Sequence, residues 1–97
     1  MNRPAAIITG ASTGIGKALS IKLSDRYFIY LISRDIVKLQ DVVDEISAKG
    51  NKCQPIVADV SKQKSILTVY DQIDNKENIE LLINNAGIAV FGNISDL

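Results

Sequence analysis

Ala5-Ala6-Ile7-Ile8-Thr9-Gly10-Ala11-Ser12-Thr13-Gly14-Ile15-Gly16 decides the fold of this chain. A short aliphatic run breaks into a glycine-dense turn, and Lys17-Ala18-Leu19-Ser20-Ile21-Lys22-Leu23 follows with the look of a helix. The aliphatic run reads as a buried strand, about Ala5 to Thr9, and the helix as running to roughly Asp25. Gly10 and Gly14 open backbone conformations that side chains forbid, and Gly16 lets helix and strand approach closely. The first N–H groups of the helix turn their partial positive charge outward. Strand, glycine turn and helix in that order make a place for a phosphate.

Outward from this unit the same alternation repeats. Phe28-Ile29-Tyr30-Leu31-Ile32 is a continuous apolar run, as expected of a central strand covered on both faces by helices. Asp35 is placed to cap the next helix, whose Ile36, Leu39, Val42, Val43 and Ile46 form one apolar face before Gly50 ends it. Cys53 to Ala58 predicts a third strand, and Pro55, which has no N–H for the ladder, assigns it to an edge. Ile66, Val69, Tyr70 and Ile73 mark a third helix, polar Asn75 to Asn78 a connection, and Ile79 to Ile83 a fourth strand. Strands alternating with helices imply a parallel sheet with right-handed crossovers and helices on both faces. The expected fold is α/β, a Rossmann-like doubly wound sheet of order 3-2-1-4 in three α/β/α layers, with the proline-bearing strand at its edge. Residues 1-97 read as one dinucleotide-binding domain.

Composition narrows the partners. The 97 residues are 46% hydrophobic and 23% charged, the balance of a soluble globular protein, and 11 basic residues cancel 11 acidic ones. With no lysine- or arginine-rich block, the electrostatic footprint of a nucleic-acid binder is missing. Cys53 is the only cysteine and there is no histidine, which rules out an intrachain disulfide and the usual zinc constellations within this sequence. The longest wholly apolar run, Tyr27 to Ile32, is too short to span a bilayer, and no secretory signal opens the chain. A cytoplasmic location without membrane contact is the expectation.

Two kinds of phosphate loop compete for the glycine turn, and spacing separates them. The NTPase loop places four residues before its Gly-Lys pair and follows with Ser or Thr to hold magnesium. Here five residues separate Gly10 from Gly16-Lys17, and Ala18 has no hydroxyl. Gly10-x-x-x-Gly14-x-Gly16 instead varies the dinucleotide fingerprint in its strand–turn–helix setting. By themselves the glycines would equally serve a tight turn.

Thr9 to Gly16 and Asn84-Asn85-Ala86-Gly87 together resemble the short-chain dehydrogenase/reductase family, as does Ala58-Asp59-Val60 at the end of the third strand. The resemblance covers essentially the whole chain at the family's order and spacing. It implies that Gly10, Ser12, Thr13, Gly14, Ile15 and Gly16 surround the cofactor phosphates through backbone and hydroxyl groups. By the same resemblance Asp59 accepts from the adenine amino group beside the Val60 backbone, Asn85, Ala86 and Gly87 line the adenosine and nicotinamide-ribose side, and Asn84 ties neighbouring strands together.

The end of the second strand bears on the cofactor. An acidic side chain there, about twenty residues past the glycines, bonds the ribose hydroxyls of NAD, whereas a basic one accommodates a 2′-phosphate. This chain has Ser33-Arg34, and a guanidinium pairs bidentately with phosphate and stacks on adenine, so NADP is expected over NAD. Asp35, as a helix cap, is expected to face backbone amides.

Hydride chemistry on a carbonyl needs a proton donor, which the resembled family supplies with a tyrosine four residues before a lysine. Tyr27, Tyr30 and Tyr70 are followed at that spacing by Leu31, Arg34 and Asp74, and the first two are expected in the second strand, so all three read as structural and no catalytic residue is assigned. The chain therefore resembles the N-terminal, cofactor-binding part of a longer NADP(H)-dependent oxidoreductase, inactive alone, whose parent interconverts a carbonyl and an alcohol and is expected to be a homo-oligomer. Such a part would leave the sheet incomplete at the fourth strand, with unpaired backbone along Leu81-Leu82-Ile83, and is expected to associate or to be marginally stable. A non-catalytic dinucleotide-binding or interaction module is the alternative, and a purely structural Rossmann-like domain a third. Acyl thioesters, sugars, steroids and small ketones all stay open as substrates.

Overall fold

The computed structural model describes residues 3–59, 71–73, 79–84 and 89–91. Five strands and two helices are defined in it: β1 (Ala5–Thr9), α1 (Gly14–Leu23), β2 (Phe28–Ser33), α2 (Ile36–Ala48), β3 (Cys53–Val57), β4 (Ile79–Asn84) and β5 (Ala89–Phe91). The sheet order is β3-β2-β1-β4-β5, so the 3-2-1-4 core is present with Pro55 in the edge strand. β1, β2, β3 and β4 are mutually parallel.

Side chains alternate between two apolar clusters. Ala6, Ile8, Ile29, Leu31 and Ile83 face Leu39, Val42 and Ile46 of α2, with Leu19, Ile21 and Leu23 of α1 packed against them. Ala5, Ile7, Tyr30, Ile32, Ile56, Ile73 and Ile79 form the second cluster. Every residue of β1 is buried, because this strand lies between β2 and β4 and is covered on both faces. The register of β4 slips by one residue: Ala5 pairs with Ile79, but Ala6 pairs with Leu81. The extra residue is Glu80, which is exposed, and the bulge lets Ile79 join the second cluster while Leu81 joins the first.

Helix ends follow the sequence signals. The Asp35 carboxylate accepts the Lys38 N–H at 3.1 Å. At the other end Gly50 has φ +80°, its N–H donates to the Ser47 carbonyl at 2.9 Å, and the Asn51 N–H donates to that of Ile46 at 3.2 Å. That pair of bonds is a Schellman motif, which requires the left-handed residue that glycine supplies.

Three expectations are corrected. Ile36 is not part of the buried face of α2: it is 52% exposed as the first residue of the helix, just past the end of β2. The edge of β4 is not bare, since β5 runs antiparallel to it and pairs Leu82 with Phe91, Ile83 with Val90 and Asn84 with Ala89. An antiparallel neighbour needs only a short connection, so the next apolar run after β4 can fold straight back onto it. Tyr27 precedes β2 rather than lying in it and packs half-buried against the first cluster. Ile66, Val69, Tyr70 and the connection from Asn75 to Asn78 lie outside the described residues, whereas Ile73 is buried.

Candidate functional site

Because β1 to β4 are parallel, whatever follows each strand emerges at the same rim of the sheet. The glycine turn follows β1, Ser33-Arg34 ends and follows β2, Asp59 comes just after β3, and Asn84 ends β4. The chain winds from β1 to β3 in one direction and places β4 on the other side of β1. That reversal is the switch point at which open α/β sheets form their binding crevice.

At the turn, Gly10 has φ +62° and Gly14 φ +55°, the left-handed region that a side chain resists. A Cβ at Gly14 would meet nothing within 4 Å, so glycine is required there by backbone conformation, and the space beside it is open. Gly16 is buried, and its carbonyl accepts the buried Ser20 hydroxyl at 2.7 Å. Thr13 is the N-cap of α1 in extended backbone conformation, its side chain makes no capping bond, and the first turn of the helix contains no acid. A helix start with uncompensated N–H groups and no nearby carboxylate of its own favours an anion. Thr13, Gly14 and Ile15 are exposed at this point, Ile15 to 64%.

The turn is fastened to the end of β2. The buried Ala11 donates its N–H to the Ile32 carbonyl at 3.1 Å, and Ser12 Oγ lies 2.8 Å from Ser33 Oγ. Ser33 Oγ also accepts the Asp35 N–H at 3.2 Å, while its carbonyl accepts the Ala58 N–H at 3.0 Å. Ser33 thus joins the ends of β1, β2 and β3, and the bond from Ala58 brings the half-buried Asp59 next to β2. Arg34 is exposed at the same rim, while the Asp35 carboxylate is turned to the start of α2.

The structure therefore brings together Gly10, Ser12, Thr13, Gly14, Ile15, Gly16, Ser33, Arg34 and Asp59 at one end of the sheet. Val60, Asn85, Ala86 and Gly87 lie outside the described residues. The backbone of Asn84 stands opposite Thr9 on one side and Ala89 on the other. Tyr27 precedes the start of β2, at the far end from the turn, and Tyr30 is buried in mid-strand with its ring edge-on to Phe28 at 5.1 Å between centroids. Burial pushes the Cys53 thiol above its ordinary 9.0, so this half-buried group in β3 stays protonated at neutral pH and is a poor nucleophile. Among the described residues no group of three or more His, Cys, Asp and Glu could hold a metal ion, and no helix is long and apolar enough to cross a membrane. The Ser12–Ser33 bond was not foreseen from the residues. Ser12 lies in the turn three residues past the end of β1, so only the folded turn brings its hydroxyl to the end of β2.

Comparison with known proteins agrees with this geometry. The family model for short chain dehydrogenases matches residues 4–97. Dehydrogenase/reductase SDR family member 1 of Homo sapiens is 30% identical over 89 residues, which are 89% of this chain and 28% of that protein. A bulky-bulky ketone specific alcohol dehydrogenase from Comamonas testosteroni superimposes with a TM-score of 0.76 at 30% identity, over 92% of this chain and 38% of that one. A metagenomic short-chain oxidoreductase solved in complex with NADP gives a TM-score of 0.76 at 29% identity, over 86% and 38%. The chain thus spans well under half the length of the proteins it matches. A Rossmann-like 3-2-1-4 sheet, the glycine turn at its rim and a family match over nearly every residue agree, and the chain belongs to the short-chain dehydrogenase/reductase family.

Proposed function

We propose that the protein carrying this chain is an NADP(H)-dependent short-chain oxidoreductase that interconverts a carbonyl and an alcohol on a small-molecule substrate. Residues 1-97 form its dinucleotide-binding domain and hold the adenosine and pyrophosphate half of the cofactor. The residues fit that group: open space beside Gly14 admits a phosphate, and the start of α1 faces it with N–H donors and no acid of its own. The cofactor supplies the hydride chemistry when bound. The chain supplies position and charge: Gly10 to Gly16 cradle the pyrophosphate, Ser33 and Arg34 meet the 2′ position, and Asp59 accepts from the adenine amino group beside the Val60 backbone. Asn85, Ala86 and Gly87 line the adenosine and nicotinamide-ribose side. A homo-oligomer in the cytoplasm completes the reading.

One observation carries the choice of NADP over NAD. Asp35, the acid nearest the end of β2, commits its carboxylate to the Lys38 N–H at 3.1 Å, while Arg34 stands exposed one residue earlier. A ribose hydroxyl would need the acid, and a 2′-phosphate needs the guanidinium. Arg34→Ala should raise the Kd for NADPH by about tenfold or more, the scale of a bond to a charged group, and change the Kd for NADH far less. Isothermal titration with both cofactors checks this, and equal losses would remove the NADP assignment. A non-catalytic dinucleotide-binding module is the second reading, since these residues contain no Tyr-x-x-x-Lys. Tight NADPH binding by the intact protein with no turnover of any carbonyl or alcohol would select it.

A further inference from the structure

The hydroxyls of Ser12 and Ser33 lie 2.8 Å apart, and either can be the donor. What decides the direction is the rest of the Ser33 environment. Its Oγ accepts the Asp35 N–H at 3.2 Å, and a hydroxyl oxygen has two acceptor positions and one hydrogen. If Ser12 donates, both acceptor positions of Ser33 are filled and its hydrogen is all that remains for a ligand. If Ser33 donates, that hydrogen is spent on Ser12, and Ser33 offers only a lone pair. The two backbone bonds from Ala11 to Ile32 and from Ala58 to Ser33 hold the pair in place. Both side chains are half-buried, so water competes less with the bond than at an open surface.

The two directions suit different ligands. A phosphate monoester only accepts, so beside Arg34 it selects the arrangement in which Ser12 donates to Ser33 and Ser33 donates to the phosphate. Each bond in such a chain polarises the next, and a charged acceptor at its end about doubles the strength of the last one. A sugar hydroxyl both donates and accepts and enforces neither direction. We propose that Ser12 is a positioning residue for cofactor specificity: by donating to Ser33 Oγ it commits the Ser33 hydrogen to a phosphate monoester beside Arg34, coupling the glycine turn to the 2′ position of the nucleotide. The inference rests on the NADP reading given above.

The test is a double-mutant cycle on the intact protein, with NADPH and NADH titrated separately into wild type, Ser12→Ala, Ser33→Ala and the double variant. The quantity read is the ratio of the two dissociation constants, which does not depend on how much of a preparation is folded. Each single variant should lower the preference for NADPH about tenfold, and the double variant no further than either single one. Ser12→Thr, which keeps the hydroxyl, should retain the preference. If Ser12→Ala weakens both cofactors equally, or if the two losses multiply in the double variant, Ser12 does not act through Ser33 and the inference falls while the NADP reading stands. If wild type shows no preference for NADPH, the NADP reading fails and the inference with it.

Discussion

Gly14 shows what a single residue contributes to the turn. At φ +55° it costs an L-residue about 1–2 kcal/mol to sit there, and since an added Cβ would touch nothing, backbone strain is the whole penalty. Gly14→Ala should therefore lower the melting temperature by about 5 °C or more, as read by a thermal unfolding scan followed by circular dichroism. It should weaken dinucleotide binding as well, because the methyl group would occupy the space left open beside the turn. The left-handed glycines were legible in the sequence from their place between strand and helix. Ser33 was legible only in part: its position at a strand end suggested a polar contact to the ligand, whereas its bonds to Ser12, Asp35 and Ala58 depend on three strands meeting.

At the scale of elements, α1 and α2 are tied together at the rim opposite the turn. Arg3 donates to the Ser24 carbonyl at 2.6 Å and to Asn51 Oδ1 at 3.2 Å, and the Asn51 amide donates to Ser24 Oγ and to Asp25. Lys49 donates to the Ile21 carbonyl at 3.0 Å and pairs with Asp25 at 3.1 Å. Cationic side chains thus satisfy the last carbonyls of α1. The Asn51 amide first, and then the Lys49 ammonium, hold the Asp25 carboxyl below its ordinary 3.8. The folded state therefore favours the charged form, so the contribution of Asp25 is fully present above pH 3.8 and is lost as the pH falls through the lower folded value. Asp25→Asn should melt below the parent at neutral pH, and the gap should close in strongly acidic buffer. None of this network was visible in the sequence, because α1 and α2 must first pack side by side on the sheet before Arg3, Asp25 and Lys49 can meet their partners.

For the molecule as a whole, the question is how the β4 side of the sheet is closed. Successive residues of a strand turn their hydrogen-bonding groups to opposite sides, so one of Ala89 and Val90 bonds β4 and the other faces away. Replacing both with proline removes the bonding N–H whichever it is, and reopens the β4 edge along Leu82 to Asn84. Sedimentation velocity should then show more self-association than in the parent, because an open edge pairs with another chain. An unchanged sedimentation profile would mean that β5 does not protect this edge. The sequence anticipated four of the five strands among the described residues, and their order, since long apolar runs and helical periods report local burial. Ala89-Val90-Phe91 escaped notice because three residues are too few to show a period, and what makes them a strand is the β4 backbone they pair with.

The division between sequence and tertiary structure follows from the range of the forces involved. Glycine conformation, helix caps, the edge proline and the alternation of apolar runs act over a few residues, so the fold class, the glycine turn at the rim of the sheet and the family were written in the chain itself. The slip at Glu80, the β5 hairpin partner, the latch around Asp25 and the hydroxyl pair of Ser12 and Ser33 join residues far apart in sequence. They exist only once the parallel sheet has brought the strand ends and helix ends together, and no local pattern announces them.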